Sequence, residues 1–77
     1  MQNEVEIKRE CTGRYTVTYN GKTLWIRHNY GLGVWVVEQP WAFKQDNGTY
    51  KSKRLDCCLT LTKAKERAAH IIKDMAA

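Results

Sequence analysis

Few residues of this chain are equipped for chemistry: three cysteines, two histidines, and a larger set of arginines and lysines interleaved with aromatic rings. Cys57 and Cys58 are adjacent, so on a strand they point to opposite faces and cannot jointly clasp a tetrahedral ion; no C-x-x-C spacing occurs. Together with Cys11 they are expected to be reduced thiols, buried or half-buried, with no metal bound. His70, flanked by Glu66 and Asp74 at helical spacing, reads as part of a solvated helix face rather than a catalytic base. Glu38, Asp46 and Asp56 have no evident carboxylate partner, and Gly31 and Gly33 lack the strand-to-helix setting of a phosphate loop. The chain is therefore not expected to be an enzyme, and no cofactor is implied.

One constellation is harder to set aside. Arg14, Trp25 and Arg27 meet if the chain between them folds back on itself, and Asn20-Gly21, between two β-rich runs, is the strongest short-range signal for that fold-back. A two-residue turn there sets Arg14 opposite Arg27, Thr16 opposite Trp25, and Val17 opposite Leu24. One face of the hairpin, Tyr15, Val17, Leu24 and Ile26, must be the core side. The other presents two guanidinium groups beside a large flat ring. Side by side, those two charges repel unless an anion or water separates them. A two-stranded ribbon fits the major groove of duplex DNA, where arginine reads guanine and lysines hold phosphates.

Charge supports the same partner. The net charge is +5 with a sequence pI near 9.3, a balance that favours polyanions. Lys51, Lys53, Arg54, Lys63, Lys65 and Arg67, against Asp56 and Glu66, place most of the excess in the last third of the chain.

The elements that must position these residues follow in order. The 77 residues make one small domain, too short for a second core. Residues 4–8 alternate Val5 and Ile7 with glutamates, compatible with a short edge strand and equally with a frayed arm. After the hairpin over 14–28, the β-branched and aromatic run 34–39 predicts a third strand with Trp35 and Val37 inward and Val36 and Glu38 outward; Pro40 should end or bend it. Asp46-Asn47-Gly48 gives a second turn of the same chemistry, closing a second hairpin whose fourth strand spans about 49–61. Clean alternation predicts Leu55, Cys57, Leu59 and Leu61 on one face and Asp56, Cys58, Thr60 and Thr62 on the other. From Thr62, a plausible N-cap, the period changes to 3.6, and Ala64, Ala68, Ile71, Ile72 and Met75 make one apolar stripe over about 62–75. The expected fold is α+β: an antiparallel meander of three or four strands with this helix on one face. Its core should join Val17, Leu24 and Ile26 to Ile71, Ile72 and Met75. No apolar run reaches membrane-spanning length and the amino terminus has no apolar leader segment, so a cytoplasmic protein is expected.

Gly33-Val34-Trp35-Val36-Val37-Glu38, similar to a G-x-W-V-x-E strand, and Thr60-Leu61-Thr62 leading into Ala64, Ala68 and Ala69 together resemble the AP2-type DNA-binding domain and the amino-terminal arm-binding domain of phage and transposon integrases. Small prophage proteins share this strand-then-alanine-helix grammar. The resemblance implies a three-stranded sheet with a carboxy-terminal helix on one face and DNA on the other, with Glu38 on the DNA side. Ala64-Lys65 and Ala68-Ala69 are also similar to the last helix of double-stranded-RNA-binding domains, but Leu61 and Thr62 stand where that family has lysines.

The expected function is nucleic-acid binding, DNA before RNA, through Arg14, Trp25 and Arg27, with Lys51, Lys53, Arg54, Lys63 and Arg67 supplying backbone charge. The competing expectation is a protein-binding module, such as a phage-encoded inhibitor or adaptor on a host protein. Its contact patch would centre on Trp41 and Phe43, because three tryptophans, four tyrosines and one phenylalanine exceed what so small a core needs. A homodimer through that patch is a third possibility.

Overall fold

A computed structural model of the chain describes residues 4–76 and, within them, every side chain except those of Ala42 and Phe43. The fold is α+β: five antiparallel strands in sequential order, β1 (Glu6–Cys11), β2 (Arg14–Tyr19), β3 (Lys22–Asn29), β4 (Val34–Lys44) and β5 (Tyr50–Cys58), followed by one helix, α1 (Leu61–Ala76). The meander has one strand more than the longest the sequence predicts. Residues 6–11 pair with β2, Ile7 opposite Val17 and Lys8 opposite Thr16, so the amino-terminal stretch is an edge strand and not a frayed arm.

The β2–β3 register is the one a two-residue turn dictates, from Tyr19 opposite Lys22 to Arg14 opposite Arg27. Asn20 and Gly21 sit at φ 48° and 80°, the positive pair that lets the turn twist with its strands. On the inner face Val17, Leu24, Ile26 and Val37 pack on Ala64, Ala68 and Ile72, all inaccessible to solvent. The two alanines let the helix approach closely, and Ile72 fills the wider end. Ile72 is thus the helix's anchor, whereas Ile71 and Met75 only flank the cluster. At the other end of this face, His28, opposite Trp35, lies with its ring centroid 4.6 Å from the indole, and Tyr15 meets Trp35 edge-on at 6.0 Å.

Several boundaries depart from expectation for identifiable reasons. Strand β4 runs past residue 39 to Lys44, and Pro40 bends it, one of the two outcomes expected there: between Gln39 opposite Lys53 and Phe43 opposite Lys51, β4 spends more residues than β5, and Trp41 sits in the left-handed region at φ 56°. A second bulge places Val37 opposite Asp56 but Glu38 opposite Arg54, leaving Leu55 as the extra residue. That bulge breaks the predicted alternation. Leu55 and Cys58 both pack against the core, Cys57 and Leu59 are exposed, and Leu61 belongs to the helix. Strand β5 therefore ends at Cys58, short of residue 61. The helix is capped by Thr60 rather than Thr62: Thr60 Oγ1 accepts from the Lys63 N–H at 3.2 Å and the Thr60 carbonyl accepts from the Ala64 N–H at 3.1 Å. Among the described residues, no helix is long and apolar enough to cross a membrane.

Candidate nucleic-acid interface

The face opposite α1 is built from residues that alternate with the core. One row crosses all five strands: Lys8, Thr16, Trp25, Glu38 and Arg54 stand opposite one another in turn. The neighbouring row runs Cys11, Arg14, Arg27, Val36, Cys57. Arg14 and Arg27 do face each other across β2 and β3, but each reaches diagonally to a different neighbour. The Arg14 guanidinium lies 4.4 Å over the Trp25 ring, a contact worth roughly 0.5–1 kcal/mol at an exposed site. Arg27 donates to Glu38 Oε1 at 2.7 Å. Glu38 is only 6% exposed, a placement a carboxylate tolerates only when a cation satisfies it.

This changes the expected site. The Arg14/Arg27 face has an internal partner after all, because Glu38 neutralises Arg27 and Trp25 occupies Arg14. Nor is the β2–β3 hairpin a free ribbon: β1 and β4 flank it on both sides. Trp25 is half-buried, with Trp41 packed edge-on at 5.6 Å between ring centroids. A shallow hollow of about 280 Å³ remains beside it, lined by Glu10, Cys11, Arg14, Thr16 and Trp25.

Lys63 and Arg67 do not join this face, because both lie on the helix in the other layer. Arg67 Nε donates to Asp56 Oδ2 at 2.7 Å and Lys63 sits 3.7 Å from Glu66. The Arg67 hydrogen bond, seconded by the Cys57 N–H at 2.8 Å, holds the Asp56 carboxyl below its ordinary range and raises Arg67 in turn. Burial pushes the pKa of the Cys58 thiol up, with the nearby Asp56 carboxylate acting in the same direction. Cys11 and Cys57 are exposed, contrary to the expectation that all three thiols are covered.

Lys51, Lys53 and Arg54 behave differently. Past Glu38, β4 pairs with β5 alone among the described residues, so 39–44 and 50–53 continue as a two-stranded ribbon, with Arg54, opposite Glu38, at its base. Two features accompany the end of β3 pairing: Pro40 has no N–H to donate, and Trp41 takes a left-handed φ of 56° while its ring stays packed on Trp25. The tip is a three-residue loop and not a copy of the first turn. The Gly48 N–H donates to the Gln45 carbonyl at 3.0 Å, Gly48 takes φ 86°, and the Gln45 N–H closes the loop on the Thr49 carbonyl at 2.7 Å. Asn47 Oδ1 accepts from both the N–H and the hydroxyl of Thr49, at 3.1 and 2.7 Å. The ribbon carries Lys44, Lys51 and Lys53, with Arg54 at its base, all exposed, against Asp46. Among the described residues, none of these four cations is in an ion pair.

Two further cations stand with these although neither is among the site residues expected from the sequence. Lys44 stands opposite Tyr50 just before the turn and was legible from the turn signal; Lys8 joins the outer face only because residues 6–11 are a strand. Of the aromatic pair expected at a protein interface, Trp41 is 62% exposed. Phe43 pairs its backbone with Lys51, but its side chain lies outside the described residues. Comparison of the chain with protein-family models, curated proteins and solved structures gives no match, so the functional reading stands on geometry and charge.

Proposed function

We propose that this chain is a nucleic-acid-binding protein, with duplex DNA its first partner, and that it binds through the β4–β5 ribbon. The observation that carries this reading is the ribbon itself: two strands that past Glu38 pair only with each other among the described residues, bearing Lys44, Lys51 and Lys53, with Arg54 at the base, none of them in an ion pair among the described residues. Width decides between ribbon and sheet. Five strands spaced about 4.8 Å apart span about 19 Å, too wide to lie flat in a major groove about 12 Å across, whereas two strands fit. In this arrangement the ribbon lysines hold phosphates and Arg54, at the base, stands closest to the Arg14–Trp25 stack. Lys63 and Arg67 do not contribute, since their charges are met within the domain. The chain is a binding protein, not an enzyme, working in the cytoplasm; the resemblance to AP2-type and integrase arm-binding domains supports DNA over RNA.

The test is fluorescence anisotropy with a labelled duplex at low salt. Lys51→Glu with Lys53→Glu should weaken binding on the order of tenfold or more, whereas Lys63→Glu should leave it within roughly twofold. No binding by the wild type, or equal losses from the two reversals, overturns the assignment.

One observation favours a second reading, docking on a host protein. Trp41 is exposed beside a hollow of about 220 Å³ lined by Gly21, Lys22, Thr23, Gln39, Pro40 and Met75. Binding lost with Trp41→Ala but indifferent to the ribbon lysines would select it.

A further inference from the structure

The two edges of the sheet are not alike. Strand β5 is poorly suited to extend the sheet: Leu55 bulges from it, the Asp56 carboxylate occupies the Cys57 N–H at 2.8 Å, and Lys51, Lys53 and Arg54 crowd its start. These are the devices by which proteins blunt an edge. Strand β1 is regular from Glu6 to Arg9, its only irregularity following at Glu10, and all six of its residues are exposed. Among the described residues no strand pairs with its outer side.

We propose that the β1 edge pairs with the β1 edge of a second copy of this chain, joining two sheets into one continuous antiparallel sheet about a two-fold axis. The sequence of β1 selects the register. A two-fold axis normal to the sheet keeps each face on its own side, so the pairs must join residues of the same facing. Centred on Ile7, the pairing puts Glu6 opposite Lys8 of the second copy, twice over, on the outer face. Ile7, itself 37% exposed, then meets its own counterpart on the helix face. Moving the centre to Lys8 opposes Lys8 to Lys8 and Glu6 to Glu10. Centring on Arg9 opposes Arg9 to itself and runs into the Glu10 bulge. Only the Ile7-centred register joins opposite charges without a like-charge pair in β1, and cross-strand charge pairs favour or penalise a register directly. Because β5 is blunted, β1 meets β1 rather than β5, which closes the assembly at two copies instead of an open fibre.

Sedimentation velocity across a concentration series at low salt reads this directly. The wild type should move from a species of 9.0 kDa to one of twice that mass as concentration rises. Glu6→Lys alone and Lys8→Glu alone should each hold it at the monomer, since each opposes like charges. The double exchange, Glu6→Lys with Lys8→Glu, should restore the dimer, which no loss of folding can imitate. A wild type that stays monomeric, single reversals that leave the dimer intact, or a double exchange that fails to restore it overturns the proposal.

Discussion

Two hairpins in this molecule are each closed by an Asn-Gly pair, and they end in opposite roles. In β2–β3 the pair forms the whole turn, both residues at positive φ, and the strands run between β1 and β4, so every second residue goes into the core. In β4–β5 the same dipeptide closes a looser loop in which only Gly48 takes positive φ, and although Pro40 is buried and Trp41 packs on Trp25 at its base, the described residues from Lys44 to Lys51 are all exposed. Turn chemistry starts both hairpins; flanking strands decide whether a hairpin becomes core or limb. The difference shows in charge. The buried hairpin consumes its arginines internally, one on Trp25 and one on Glu38, while the free ribbon leaves four cations unmatched among the described residues.

The comparison breaks most sharply at Ile72. Ile72→Ala removes a fully buried side chain from beneath the β2–β3 face and should cost about 2–5 kcal/mol in urea unfolding, enough to unfold much of so small a domain. Next comes the internal consumption of charge. Arg27→Met strips the hydrogen-bond partner from Glu38, a buried carboxylate, and should cost about 1.5–3 kcal/mol. Lys53→Met on the ribbon should change stability by less than about 0.5 kcal/mol.

The turns themselves sharpen the contrast. Gly21→Ala and Gly48→Ala each force a side chain into the left-handed region at nearly the same φ, 80° and 86°, at a cost of about 1–2 kcal/mol. For Gly21 that cost should appear in global unfolding. For Gly48 it should appear as faster amide hydrogen exchange confined to 45–49, because little else depends on that loop.

The smallest effect lies between helix and sheet edge. Asp56 has a folded pKa below its unfolded one, first through Arg67 and second through the Cys57 N–H. Its stabilising contribution is complete above the unfolded value and is lost as pH falls through the folded one. Arg67→Gln should therefore destabilise the domain at neutral pH, and the gap from wild type should close as pH drops below about 4. A gap that persists at pH 2 would mean that Arg67 acts through packing and not through the ion pair.

Most of the fold was legible where local rules act alone. Asn20-Gly21 sets the β2–β3 register and the 3.6 period from Thr62 marks the helix, whereas the facing of Trp35 and Val37 is ambiguous in the sequence, and inward is preferred there because it turns Glu38 outward. What could not be read depends on neighbours. The strand at residues 6–11 exists because β2 offers it an edge, since its own glutamates and lysine give it little preference. The Leu55 bulge is invisible in a run that alternates cleanly from Leu55 to Leu61, and it separates Leu55 from Cys57 and puts Leu55 against the core with Cys58. The candidate site was legible in its residues but not in its grouping. Arg14, Trp25 and Arg27 do share a face, yet Glu38, read as merely outward, is what satisfies Arg27. Lys51, Lys53 and Arg54 separate from Lys63 and Arg67 only once the ribbon is seen to leave the sheet.

The central claim is that an uncompensated ribbon meets a polyanion, and its most direct measurement is the slope of log K against log salt for duplex DNA. Four phosphate contacts from Lys44, Lys51, Lys53 and Arg54 give a slope of about −3.6, and each ribbon cation removed should lessen it by about 0.9. Substituting Lys63 should leave the slope unchanged. A slope near zero, or one that falls equally whichever layer loses a lysine, would contradict the account.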